Sequence, residues 1–559
     1  MGRTFPFWFF ILLIALFSLP GIWDLVRPGY IASHDGIGHV IRLSEFDLAL
    51  RDGHIPPRMS KNLMYGYGYY FFNFNYPLLY WSGELLHLLG LDFADALKGI
   101  TILGLVLSGL AMFLWQRTHW GNWGALLAAI FYMYAPYRLL NIYVRGAIAE
   151  HLAFIMLPLL FMYSEKIAED ERKKRGFFVI LGGISYALLL LSHNIMAFIF
   201  SLVLGLFMLF HLYLYRSWRV LLGFLGVGII GLALSAFFWV PSILEKQFVR
   251  LDQTIGKDFP QHFVYPLQLI LPSWGYGGSG PGPNDSMSFQ IGILHLIFLF
   301  LSVIVVRQLW KDRRQKASHV LFYLLVFAAS VFFMLGISKM VWEMIPLLRF
   351  TQFPWRFLSW TVFAASVLAG GVVYWLENYF WQAKPARAYR SVLVVAIALI
   401  ISSLFYFRAS QHLVVTVPKD QPIAGSHTWA DEQLPVWFDP KPTSFPSSRV
   451  EVISGEAKLE ILSWKTPRHQ YTVDASTPVT LVENTAYYPG WKLLVNDQEY
   501  NFNFQGKFFP GRIVYSLPAG NHQITSIFTE TPLRKSMNLF SLVSLVLVLI
   551  LLPLSVRKF

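Results

Sequence analysis

Apolar runs close to 20 residues long, separated by short loops that carry many of the basic residues, recur through most of this chain. That is the length a helix needs to cross the hydrocarbon of a bilayer. Inside hydrocarbon each backbone N–H and C=O must find its partner within the protein, and a single run of this length achieves that as a helix. Composition agrees. Of 559 residues, 55% are hydrophobic and 14% charged, where an ordinary soluble chain carries about a quarter charged. The chain therefore reads as a mainly α-helical, polytopic membrane protein.

The basic loops orient the spans. Segments 171–175 ("ERKKR"), 307–316 ("RQLWKDRRQK") and the terminal "RKF" are taken as cytoplasmic. Spans then fall near 6–26, 98–116, 122–138, 149–166, 176–192, 195–214, 219–240, 289–306, 318–336, 354–376, 391–408 and 537–556, with both termini in the cytoplasm of a cell-membrane protein. The first run has a basic start and no small-x-small cleavage site, so it reads as an uncleaved span. Segment 75–91 ("NYPLLYWSGELLHLLGL") reads as a helix dipping into the outer leaflet, because a full span there would turn 171–175 outward; a thirteenth span is the alternative. The net charge of +13 is then directed at anionic membrane lipid and not at nucleic acid. With no cysteine, disulfides, thiolate metal sites and cysteine nucleophiles are excluded.

Three domains follow. Residues 1–410 form the transmembrane domain, with a first external loop at 27–97 and another at 241–287. Over 411–534 short stretches alternate apolar and polar residues between Gly, Pro and Asn–Asp turns, as in an extracytoplasmic β-sandwich. Residues 535–559 supply a final span and a basic tail. Tyr487, Tyr488 and Trp491 in the β-domain read as core aromatics, with sugar stacking as the alternative.

The external turns bring ionisable residues to one face of the membrane. Asp35 is flanked by Gly36 and Gly38, which would let a substrate approach the backbone closely; it is a candidate general base or, alternatively, a helix N-cap. His34 and His39 are candidate metal ligands or hydrogen-bond donors to a sugar; two histidines without a placed carboxylate are a weak metal signal, and solvated loop histidines are the alternative favoured by the residues. In "YVRGAIAEH", Arg145, Glu150 and His151 stand at the start of an apolar span, where ionisable groups are costly. Glu150 is either a catalytic acid or a helix-start carboxylate that favours the dipole. Arg138 and Arg145 are the leading phosphate partners, because a guanidinium binds phosphate through two N–H groups. Arg349 and Arg356, flanking "FTQFPW", could bind the same phosphate or snorkel to the interface. His193 closes another span on that side. "GYGGSG" at 275–280 satisfies the dinucleotide pattern, but prolines follow where a helix should, so no nucleotide cofactor is expected.

The motifs "HDGIGHVIRL", "RDGHIPPRM", "GYGYYFFNFNYPLLYW", "RGAIAEH" and "YYPGWKLLVN…LPAG" occur in that order. In this the chain resembles bacterial multi-pass proteins with a "6-pyruvoyl-tetrahydropterin synthase-related" membrane domain. These are similar to GT-C glycosyltransferases, including enzymes that glycosylate lipoteichoic acid outside the cell. A Trp commonly follows "PPR" in the family, whereas this chain has Met59. The resemblance implies a polyprenyl-phosphate-linked sugar donor, an extracytoplasmic acceptor in the cell envelope, and Asp35 as the acidic residue of the first external loop. A divalent metal is left open. The alternatives are a transporter or flippase of a lipid-linked glycan and a non-catalytic envelope scaffold. The absence of a clear internal repeat favours the enzyme over the transporter.

Overall fold

Helices occupy the apolar runs. The computed structural model describes residues 5–169, 174–254, 256–382, 385–417 and 420–556. Residues 171–173 of the first basic marker, and the tail 557–559, lie outside the described residues. Among the described residues nine helices are long and apolar enough to cross a membrane, or ten if the bent pair Trp218–Leu234 and Ala236–Leu244 is one span. The spans expected at 98–116 and 122–138 form one helical run, Phe93–Tyr134. It reverses at Gly121, where φ is +71°. The reversal brings Gly109 against the side chain of Met133.

Two boundaries differ from expectation. The helix expected at 391–408 runs over Pro385–Ser402 and keeps Arg387 and Arg390 in its first turns. Within 75–91 the helix is Pro77–Leu88, of 12 residues. That is about 18 Å, too short to cross the hydrocarbon. Leu358–Tyr379 runs through the middle of the bundle, and 94% of its apolar stretch is buried. The last helix, Pro532–Val556, is apolar all round yet only 11% buried, as a lipid-facing helix should be.

Between 450 and 528 the alternating segments form two antiparallel sheets. Five strands run in the order Ala457–Lys465, Arg468–Ala475, Gly520–Phe528, Trp491–Val495 and Gln498–Tyr500, and three in the order Val450–Ser454, Val479–Ala486 and Arg512–Leu517. The Tyr471 and Tyr515 hydroxyls meet across the two sheets at 2.6 Å. The sheets begin later than 411 because 414–449 carries six prolines, which remove ladder donors. Residues 423–425 lie instead along the first loop, with Met64 donating to Gly425 O at 2.7 Å and Ile423 donating to Asn62 O at 2.8 Å.

The first loop joins both halves of the molecule. Its helix Gly36–Arg51 fixes the following turn through Glu45, which accepts from Ser60 at 2.5 Å and from Asn62 at 3.1 Å. Arg58 of the "PPRM" stretch is buried between Glu530, Asn73, Asn538 and the Phe237 carbonyl.

Candidate functional site

The turn 141–145 after the Phe93–Tyr134 hairpin is a π-helical turn ended by Gly146 at φ +64°. A Cβ on Gly146 would lie 2.5 Å from Ser33 Oγ and 2.8 Å from Gly36 N, so this glycine lets the first loop close onto the turn. The closure is hydrogen-bonded, His34 N to Val144 O and Asp35 N to Arg145 O, each at 2.9 Å. The tight space at Gly36 is likewise filled by Ser33 and Tyr30, and that at Gly38 by Arg42 and the His427 carbonyl. These glycines therefore serve the chain's own packing, not the approach of a substrate as the sequence suggested.

Asp35 precedes the helix Gly36–Arg51, yet its side chain makes no cap hydrogen bond. The capping alternative is overturned: Asp35 has φ −103° and ψ −10°, already helical, whereas a capping residue is extended. Among the described residues its exposed carboxylate has no ion pair, while Arg42, Tyr76, Tyr80 and Arg145 all feel its charge. His39, one turn on, is buried with Nδ1 3.0 Å from the Tyr80 hydroxyl. Burial, then Arg42 and His193, hold its pKa well below the ordinary histidine range.

Behind Asp35 sits a buried ion pair. Glu150 is fully enclosed; it accepts from Tyr137 at 2.5 Å, Asn141 at 3.0 Å and Arg145 at 2.9 Å. Arg145 also donates to Asn141 at 2.5 Å and lies 4.6 Å over the Trp355 ring. Burial works hardest against the Arg145 charge, but Glu150, Tyr137 and Asp35 together move the guanidinium pKa upward. Both Glu150 oxygens are engaged, so Glu150 positions Arg145 and is not placed to take a substrate proton.

Arg356 completes the cluster. It donates to Thr351 O at 3.2 Å, its Nε has no partner among the described residues, and it shares the field of Glu150, Arg145 and Tyr76. His193 stacks on Tyr76 with ring centroids 5.1 Å apart. Its Nδ1 accepts from Met196 N at 3.2 Å, which leaves the proton on Nε2 as a donor. Burial, opposed by Glu150 and aided by Arg356 and Arg145, brings its pKa down to about 3. With both histidines neutral, the guanidinium groups of Arg42, Arg145 and Arg356 face the carboxylates of Asp35 and Glu150, an excess of one positive charge.

The structure thus brings together Asp35, His39, Arg145, Glu150, His193 and Arg356. It separates the remaining candidates. Arg138 is buried against Ser108 at 3.0 Å and His151 at 3.2 Å, and His151 reaches the Thr101 carbonyl at 3.1 Å. These two tie helices together and reach no open surface. His34 is exposed, with Nε2 3.1 Å from Tyr276 O. Arg349 is exposed and lies 6.0 Å over Phe259. Sequence reasoning missed Arg42, Tyr76, Tyr80, Tyr137, Asn141 and Trp355. Arg42 had a signal: on the helix it lies two turns beyond Asp35, on the same face.

A multi-pass membrane protein with a net-cationic cluster at one end of its bundle and a β-sandwich docked on its first loop is the class these features define. The chain belongs to the family of membrane proteins with the 6-pyruvoyl-tetrahydropterin synthase related domain, whose profile matches residues 72–410. That range holds Arg145, Glu150, His193 and Arg356 but begins beyond Asp35. No curated protein matches the chain. Among solved structures it is similar to the Archaeoglobus fulgidus oligosaccharyltransferase in its apo form, at a TM-score of 0.43 and 13% identity over 72% of this chain and 55% of that one. It is similar also to that organism's oligosaccharyltransferase AglB in complex with an inhibitory peptide and a dolichol-phosphate, at 0.46 and 14% over 74% and 57%. A third is ArnT from Cupriavidus metallidurans bound to undecaprenyl phosphate, at 0.38 and 12% over 71% and 74%. The chain spans just over half the length of the oligosaccharyltransferase chains.

Proposed function

We propose that this protein is a membrane glycosyltransferase that moves a sugar from a polyprenyl-phosphate donor to an extracytoplasmic acceptor of the cell envelope, with Asp35 as general base. The observation that carries this reading is a carboxylate, Asp35, without a partner among the described residues, set before a buried cluster with more guanidinium than carboxylate. An anion would neutralise that excess, and a phosphate suits a planar guanidinium.

In the reaction Asp35 accepts the proton of the acceptor hydroxyl as its oxygen attacks the anomeric carbon. The bond from that carbon to the phosphate oxygen breaks, and polyprenyl phosphate leaves. Arg145, held by Glu150, and Arg356, whose Nε–H has no partner among the described residues, stabilise the charge that builds on the phosphate. His193, neutral with its proton on Nε2, donates to a sugar hydroxyl. A groove of about 210 Å³ lined by Ile270, Ile293, Leu294, Leu399 and Tyr406 reaches Pro136, the neighbour of Tyr137, and suits part of the polyprenyl chain.

The test is Asp35→Asn in the purified protein, read as consumption of polyprenyl-phosphate-sugar. Because the Asp35 side chain makes no cap bond, the variant should keep its melting temperature while losing about 10²–10⁴-fold in rate. Turnover above roughly a tenth of wild type rules out the base role. Movement of the lipid-linked sugar across a vesicle without its consumption would favour the flippase reading instead.

A further inference from the structure

The far end of the same bundle carries a second cluster. Glu165 lies on the helix Ile148–Glu169 fifteen residues beyond Glu150, roughly 22 Å along the axis. Facing it are His119, next to the hairpin reversal, and His319, on the helix Arg314–Met334. One ligand atom from each of these three residues lies within 4.8 Å of the other two.

We propose that His119, Glu165 and His319 bind a divalent metal ion, Zn²⁺ by their donor set, and that the ion clips the hairpin to the two helices. His119 Nε2 is 2.7 Å from Glu165 Oε2, and His319 Nδ1 is 4.0 Å from Oε1. The two imidazoles stack at 4.3 Å with an interplanar angle of 20°. Tetrahedral zinc holds its ligand atoms about 3.3 Å apart, so small rotamer changes close the set.

An ordinary buried ion pair does not account for the cluster. Glu165 and His319 have side chains 5% and 8% exposed. Glu165 Oε1, His319 Nε2 and the hydroxyl of adjacent Tyr323 have no hydrogen-bond partner among the described residues. The nearby cation does not serve Glu165 either. Lys316 Nζ donates to His119 O at 2.5 Å and sits over the Tyr374 and Trp120 rings. A metal ion held by one nitrogen each of His119 and His319 and by Glu165 gives the orphaned Oε1 a partner, leaving a fourth position for water or Tyr323. Trp115 Nε1 donates to Glu165 Oε2 at 2.8 Å and orients the carboxylate, as an outer-shell partner does. His119, 18% exposed, gives the ion its way in.

The test uses the full chain in detergent with any affinity tag removed, stripped with EDTA and titrated with Co²⁺ and then Zn²⁺. The expected result is one ion per chain, a tetrahedral Co²⁺ absorption that Zn²⁺ displaces, and a raised melting temperature. His319→Ala should weaken Zn²⁺ by more than about 100-fold, and Trp115→Phe by about tenfold. Should His319→Ala fail to fold, the isosteric Glu165→Gln decides, with the same loss expected. The proposal is overturned if wild type binds no ion, or if binding survives these ligand substitutions. Polyprenyl-phosphate binding at the other end is not part of the readout, so this result stands apart from the proposed activity.

Discussion

Glu150 and Arg356 show how differently two buried charges can behave within one cluster. Glu150 has Tyr137, Asn141 and Arg145 on its oxygens. Arg145→Ala would strand that carboxylate and should cost about 3–5 kcal/mol of stability. Among the described residues Arg356 has one hydrogen-bond partner, a carbonyl, with two aromatic rings and a like charge beside it. Arg356→Ala should therefore change stability little and instead weaken a polyprenyl-phosphate analogue by about 10–100-fold, the loss of one charge-assisted contact. Thermal unfolding and analogue binding, measured on both variants, separate the two. A large stability loss in Arg356→Ala with unchanged binding would remove it from the site. The ionisable residues near span ends were legible as site candidates because charge there is costly. Which way each points was not. Arg138 and Arg145 are seven apart, which on a regular helix would align them. The π-helical turn at 141–145 intervenes, and Arg138 turns into the helix packing.

Between elements, the contact of most consequence joins the first loop to the β-sandwich. Tyr70 stacks on Tyr488 at 4.2 Å and receives a hydrogen bond from Trp491 at 2.7 Å. The β-domain aromatics Tyr488 and Trp491 are thus docking residues, and Tyr487 stacks on Phe504. The strands were legible from their alternation. The docking was not, because residues more than 400 positions apart make it and no local pattern records such a pair. His54 is buried in this junction beside Arg58 and Arg534, and burial, then those two cations, brings its pKa down to about 3. The sign follows. The unfolded chain takes up this proton near pH 6.5 and the folded chain only near 3, so stability present above pH 6.5 is lost as the pH falls between the two. One such group contributes at most about 1.4 kcal/mol per pH unit. His54→Phe removes it while keeping a ring against Phe528. Its melting temperature should fall less steeply than wild type from pH 6.5 to 5, and identical slopes would mean that His54 does not couple docking to acid.

At the scale of the whole molecule, the helix Ile148–Glu169 sets the polarity, with the Glu150 cluster at one end and Glu165 at the other. The basic loop between Ile293–Asp312 and Arg314–Met334 lies at the Glu165 end, since Lys316 reaches the His119 carbonyl. The sandwich lies at the Glu150 end, docked on the loop that carries Asp35. Basic residues favour the cytoplasmic face, so the sandwich and the candidate site should face outward. A chain without cysteine makes this a clean measurement. Asp497→Cys sits on an exposed turn of the sandwich and Gln315→Cys in the exposed first turn of the helix Arg314–Met334, beside the basic loop. In intact cells a membrane-impermeant maleimide should modify Asp497→Cys and spare Gln315→Cys until the membrane is opened. The reverse pattern would place Asp35, Glu150 and Arg356 on the cytoplasmic side, and a transfer reaction outside the membrane would then be ruled out.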